Sequence, residues 1–132
     1  MKKVIPSILS VMLILLAFSS QSFSSNPITK NAKITWVATV FDFGTITKGE
    51  PVSHEFEFTN SGDAPLIIMD VKATCGCTVP VYPKEPIAPG ESEIIKVTYN
   101  AAKPGAFHKK VNVFTNTEEK AFVLNIKGEV AQ

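Results

Sequence analysis

Val52-Ser53-His54-Glu55-Phe56-Glu57-Phe58-Thr59 decides the fold class. Val52, His54, Phe56 and Phe58 share one parity, and Ser53, Glu55, Glu57 and Thr59 share the other. Successive side chains of a strand point to opposite faces, so this alternation marks a strand with one dry side and one wet side. Glu55 and Glu57 then form a solvated face rather than a catalytic pair. His54 falls on the apolar parity, where it reads first as a core or rim residue and only second as a ligand.

The same alternation extends in both directions. Upstream, Lys33 to Phe43 reads as an opening strand with Ile34, Trp36, Val37, Val40, Phe41 and Phe43 as apolar positions and a potential break near Val40. Gly44 to Pro51 is a connection with two glycines and a proline. Downstream, Asn60-Ser61-Gly62-Asp63-Ala64-Pro65 is a turn by composition. Leu66 to Cys77 follows as a strand, with Ile67, Met69, Val71, Ala73, Cys75 and Cys77 on its more apolar parity. Val79 to Gly90 carries four prolines, which places it at a sheet edge followed by a Pro-Gly turn. Glu93 to Tyr99, Phe107 to Thr115 and Lys120 to Val130 complete the set, with Gly128 marking a bulge or the end of the last strand. About seven strands at regular spacing predict an all-β, seven-stranded Ig-like sandwich over residues 34–130.

The first residues read as targeting. Met1-Lys2-Lys3 is positive, Val4 to Phe18 is mostly apolar, and small residues follow at Ser19, Ser20, Ser22, Ser24 and Ser25. This is the order of a secretory signal peptide, too short to be a membrane span. The expectation is a signal over 1–24, cleaved after Ser22 or Ser24, and a flexible leader over 25–33. No cysteine stands near the cleavage region, so a lipoprotein anchor is not expected. The destination is the periplasm or cell envelope, and no membrane span remains after cleavage.

Composition limits the partners. All 13 basic residues are lysine, and without Lys2 and Lys3, 11 lysines face 12 acids. Such a balance lacks the basic clusters and arginine forks that nucleic acid requires. The expected partner is another envelope protein or polymer. No Gly-x-Ser-x-Gly, His-Glu-x-x-His or phosphate-binding glycine loop is present, so neither an enzyme nor a cofactor is expected.

The chemistry that remains sits at Thr74-Cys75-Gly76-Cys77-Thr78, which holds both cysteines of the chain. In a straight strand their Cα atoms would stand about 6.6 Å apart, near the upper limit for a disulfide. A bond therefore needs a bend, and Gly76 is the residue able to make one by adopting a positive φ. Three readings are open: a local structural staple, a redox-active dithiol, or a pair of soft ligands for copper or zinc. The metal reading needs His54 and His108 to converge on the sulfurs. The redox reading has only Lys72 as a nearby cation in sequence, on the opposite strand face.

Phe41-Asp42-Phe43-Gly44-Thr45-Ile46, Phe56-Glu57-Phe58-Thr59-Asn60-Ser61-Gly62, Pro65-Leu66-Ile67-Ile68, Thr74-Cys75-Gly76-Cys77-Thr78 and Pro89-Gly90-Glu91 together resemble an exported bacterial family catalogued as a domain of unknown function, number fifteen seventy-three. That family is similar to the Ig-type domains of major sperm protein and Hydin-like proteins. The resemblance implies a seven-stranded sandwich used for binding or scaffolding, and it assigns no substrate or catalytic residue.

Overall fold

A computed structural model describes residues 30–132. The signal over 1–24 and the leader up to residue 29 lie outside the described residues. Eight strands follow in order: β1 Ile34–Trp36, β2 Val40–Ile46, β3 Val52–Asn60, β4 Ile68–Ala73, β5 Thr78–Val81, β6 Ser92–Tyr99, β7 Gly105–Thr115 and β8 Ala121–Val130. They form two four-stranded sheets, β1-β3-β6-β5 and β2-β8-β7-β4. The all-β Ig-like sandwich is as the alternation predicts. No helix among the described residues is long and apolar enough to cross a membrane.

The eighth strand comes from the opening segment, which divides between the sheets. Val37 N–H still donates to Glu57 O at 3.0 Å in the first sheet, while Asn125 N–H donates to Thr39 O at 2.8 Å in the second. Between those bonds the chain crosses from one layer to the other. β1 runs antiparallel to β3, and β2 runs parallel to β8. The crossing lets both halves deliver aromatic rings to the interior. Trp36 packs on Phe58 with ring centroids 5.3 Å apart, and Phe41 stacks on His54 at 3.7 Å.

Phe56, Phe58, Ile95 and Val97 of the first sheet meet Val111, Val113, Leu124 and Ile126 of the second, all at most 1 % exposed. Each such side chain contributes about 1.5–3 kcal/mol of burial free energy, so these parities dictate the register. One parity differs from the sequence reading. A bulge between Ile68 and Asp70 inserts an extra residue into β4. Leu66 and Ile68 therefore point inward together with Val71, while Ile67 and Met69 are 40 % and 64 % exposed.

A second bulge lies in β2, between Asp42 and Thr45, where Gly44 takes φ +67°. Gly128 continues β8 opposite it rather than ending the strand. A Cβ at Gly128 would stand 2.8 Å from Gly44 O and 2.9 Å from the Phe107 ring, so the close approach of two strands requires a glycine there. Asn31 and Lys33 are tied to the turn after β3: Asp63 N–H donates to Asn31 O and Ser61 N–H to Lys33 O, both at 3.0 Å.

Candidate functional site

Two features stand out on this scaffold: the outer face of the β2-β8-β7-β4 sheet and the cleft that holds the cysteines.

On the outer face, Val40, Met69, Phe114 and Val123 are each 37–64 % exposed. Phe114 pairs with Ala121 and Asn112 with Val123, so Phe114 and Val123 are diagonal neighbours. Val40 pairs with Asn125, one outward step along β8 from Val123. Met69 and Phe114 line one hollow of about 370 Å³ at the β4 edge. The four side chains thus form an apolar diagonal across every strand of the sheet. Around it lie Lys72, Lys110, Lys120 and Lys127, all exposed, against Asp42 and Asp70. Asp70 is already engaged: Lys72 Nζ stands 3.6 Å away, and Asp70 Oδ1 accepts the Val71 N–H at 2.8 Å.

The opposite outer face mixes exposed Val79, Val81 and Ile94 with polar side chains. Ser53 and Thr98 hydroxyls lie 2.7 Å apart, and those of Thr59 and Ser92 lie 2.6 Å apart. Glu55 and Glu57 share this wet face. Its edge strand β5 is closed to strand addition. Pro80 has no N–H, and the Thr78 N–H is held by Cys75 O at 3.3 Å.

The cysteines do not continue β4, which ends at Ala73. They sit in the turn leading to β5 and are joined as a disulfide, with Cα atoms 5.3 Å apart. The bend differs from the predicted one. It is a turn closed by Thr78 N–H on Cys75 O, and Gly76 is not among the glycines with positive φ. Gly76 projects into open space, with nothing within 4 Å of an added Cβ.

Cys75 and Cys77, both half-buried, line a cleft of about 280 Å³ together with Tyr99, Asn100, Ala102, Lys103 and Lys109. Sequence reasoning missed Lys103 and Lys109 as neighbours, and for Lys109 a signal exists. Lys109 shares the inward parity of Phe107, Val111 and Val113, where a lysine is out of place. Lys72 points away, on the outer face.

Neither histidine lines that cleft. His54 lies on the inner side of β3, stacked on Phe41 and set edge-on to Phe56 at 4.7 Å. Burial pushes its imidazole below the usual pKa, with a smaller opposing pull from the Glu55 charge. His108 is exposed on the outer face of β7, where its Nε2 lies 2.9 Å from Asn125 Oδ1. The structure therefore does not bring together the four side chains that a copper or zinc site would use. Among the described residues no group of three or more His, Cys, Asp or Glu side chains converges to hold a metal ion.

The family model described as "Protein of unknown function (DUF1573)" matches residues 34–130, nearly all of the described chain. The chain belongs to this DUF1573 family. Among curated proteins no sequence matches it. Solved structures give the fold a wider setting for this DUF1573 member. A protein of unknown function from Porphyromonas gingivalis aligns with TM-score 0.68 and 18% identity, over 82% of this chain and 51% of that one. The DUF1573 chain thus spans about half the length of that protein. A PapD-like (ASH) domain of human CEP192 aligns with TM-score 0.65 and 13% identity, over 86% of this chain and 97% of that domain. A chain of the CsuC–CsuE chaperone–tip adhesion subunit pre-assembly complex of Acinetobacter baumannii aligns with TM-score 0.55 and 11% identity, covering 75% and 57%. At these identities the likeness is one of fold, PapD-like and Ig-like.

Proposed function

We propose that this DUF1573 domain is an exported, non-catalytic binding module that docks an apolar, acid-flanked segment of another envelope protein on the outer face of its β2-β8-β7-β4 sheet. The observation that carries the reading is the Val40–Val123–Phe114–Met69 diagonal with its lysine border. An exposed apolar patch rimmed by charge of one prevailing sign is the usual form of a protein-interaction surface. The lysines select for carboxylates around the partner's apolar residues and speed encounter. The opposite face interleaves its exposed Val79, Val81 and Ile94 with Glu55, Glu57, Lys96 and Thr98, and its β5 edge offers no donor, which favours the β2-β8-β7-β4 face for the role. The signal-like order of residues 1–24 supports the envelope as the setting. The fold shared with a chain of a chaperone–tip adhesion subunit complex lends general support to a binding role.

The test compares wild-type chain with Phe114→Glu and Val123→Glu variants as bait for envelope extract. The reading predicts a partner retained by wild type, released as ionic strength rises, and lost from both variants. It predicts the same capture by a Cys75→Ser, Cys77→Ser double variant. A captured set unchanged by either glutamate would overturn the assignment of the face.

A further inference from the structure

The cleft between the β4–β5 turn and the β6–β7 connection holds a group that the docking face does not use. The disulfide in it spans only three residues, and the backbone on both sides is already fixed. Thr74 N–H donates to Lys110 O at 3.1 Å, and Asn100 N–H donates to Cys77 O at 3.0 Å. A bond that closes so small a loop adds little to the fold. Its surroundings instead suit a reactive thiol pair. Lys103 and Lys109 line the cleft, no carboxylate does, and Lys109 makes no ion pair among the described residues. Lys109 is half-buried beside the core parity of β7 and pairs with the fully buried Ile126. Such a lysine lays its stem on apolar surface and carries its charge to the opening. Positive charge of this kind stabilises a thiolate.

We propose that the Cys75–Cys77 disulfide is exchange-active toward a dithiol of another protein, with Cys75 as the attacked sulfur and Cys77 as the leaving one. Cys77 packs against the hydrophobic core and its Sγ lies 3.7 Å from Thr78 Oγ1, while Cys75 is not part of that packing. A partner thiolate attacks Cys75 Sγ and forms a mixed disulfide. The Cys75–Cys77 bond breaks, and its electron pair leaves on Cys77 as a thiolate beside the Thr78 hydroxyl and the two lysines. The partner's second thiol, on losing its proton, attacks the partner's first sulfur and releases Cys75. The partner is oxidised from dithiol to disulfide, the chain is reduced from disulfide to dithiol, and the two protons pass to the cysteines. The Cys77 N–H, 3.3 Å from Cys75 Sγ, supports the charge on the released Cys75. This activity stands independently of the docking face.

The test uses glutathione as the probe. The intact chain is expected to be reduced by millimolar reduced glutathione. Of the single-thiol variants, Cys77→Ser, which keeps Cys75, forms the mixed disulfide with oxidised glutathione at least ~10-fold faster than Cys75→Ser. Adding Lys103→Met and Lys109→Met to Cys75→Ser, which keeps the leaving sulfur Cys77, slows its reaction with oxidised glutathione several-fold near about pH 7, and the gap closes near about pH 9.5, where thiols ionise without help. Lys103→Met alone keeps the test available if the Lys109 change disturbs folding. A disulfide untouched by glutathione would overturn the proposal. So would single-thiol variants that react alike, or rates indifferent to the lysines.

Discussion

Asn60 closes β3 and is wholly buried. Its Nδ2 donates to Ala64 O at 2.8 Å and to Ile87 O at 2.9 Å, and its Oδ1 accepts the Gly62 N–H at 3.0 Å. One side chain thus joins the turn after β3 to the proline-rich connection before β6. Asn60→Ala removes all three bonds. Ile87 O keeps the Leu66 N–H at 2.9 Å, but Ala64 O and Gly62 N–H lose their partners. At about 1 kcal/mol for each net bond, and more for a group left without water, the loss is about 3 kcal/mol. With a urea m-value of about 1.5 kcal/mol/M, the midpoint of unfolding falls by about 2 M. Ser92→Ala is the control, since it removes only an exposed hydroxyl pair, and it should move the midpoint by less than about 0.3 M. An Asn60→Ala shift no larger than that of Ser92→Ala would refute the reading of Asn60 as a clamp.

Three further outcomes follow from local geometry. Gly128→Ala forces a Cβ against Gly44 O at 2.8 Å, where backbone must give way, and should lower stability by about 1–3 kcal/mol; Gly76→Ala has open space and should stay within about 0.5 kcal/mol by the same urea titration. The double change Cys75→Ser, Cys77→Ser removes a cross-link over a three-residue turn and should reduce stability by less than about 2 kcal/mol in calorimetry, with the fold retained by circular dichroism. His54 gives the pH dependence. Its folded pKa lies below the unfolded value, so the unfolded chain binds more protons in the interval between them. Stability is complete above the unfolded value near about 6.5 and declines as pH falls toward the folded value. His54→Leu should flatten that decline in titrations of unfolding against pH.

Much of the fold was legible because burial enforces parity. Phe56 and Phe58 on β3, and Leu124 and Ile126 on β8, take the inward positions that alternation assigns them. Legibility failed where one residue was inserted. The bulge at Met69 moved Ile67 and Met69 outward, and alternation carries no mark of a single extra residue. The opening strand divides next to the expected break near Val40, but which sheet each half joins is set by hydrogen bonds to β3 and β8 that leave no mark in the alternation. The cysteines were legible as the place where chemistry could occur, with a disulfide and metal ligation both left open, and their neighbours were not legible. Lys103 and Lys109 reach them from β7 and the loop before it, and only tertiary packing sets such distances. The exposed apolar diagonal was hidden for a related reason, since each of its members comes from a different strand.

The most direct measurement is photo-crosslinking in the cell envelope with a reactive amino acid placed at Phe114, and at Thr98 on the opposite face as reference. Docking on the β2-β8-β7-β4 face predicts one dominant adduct from position 114 and none above background from position 98. Equal adducts from both positions, or none from 114, would contradict it.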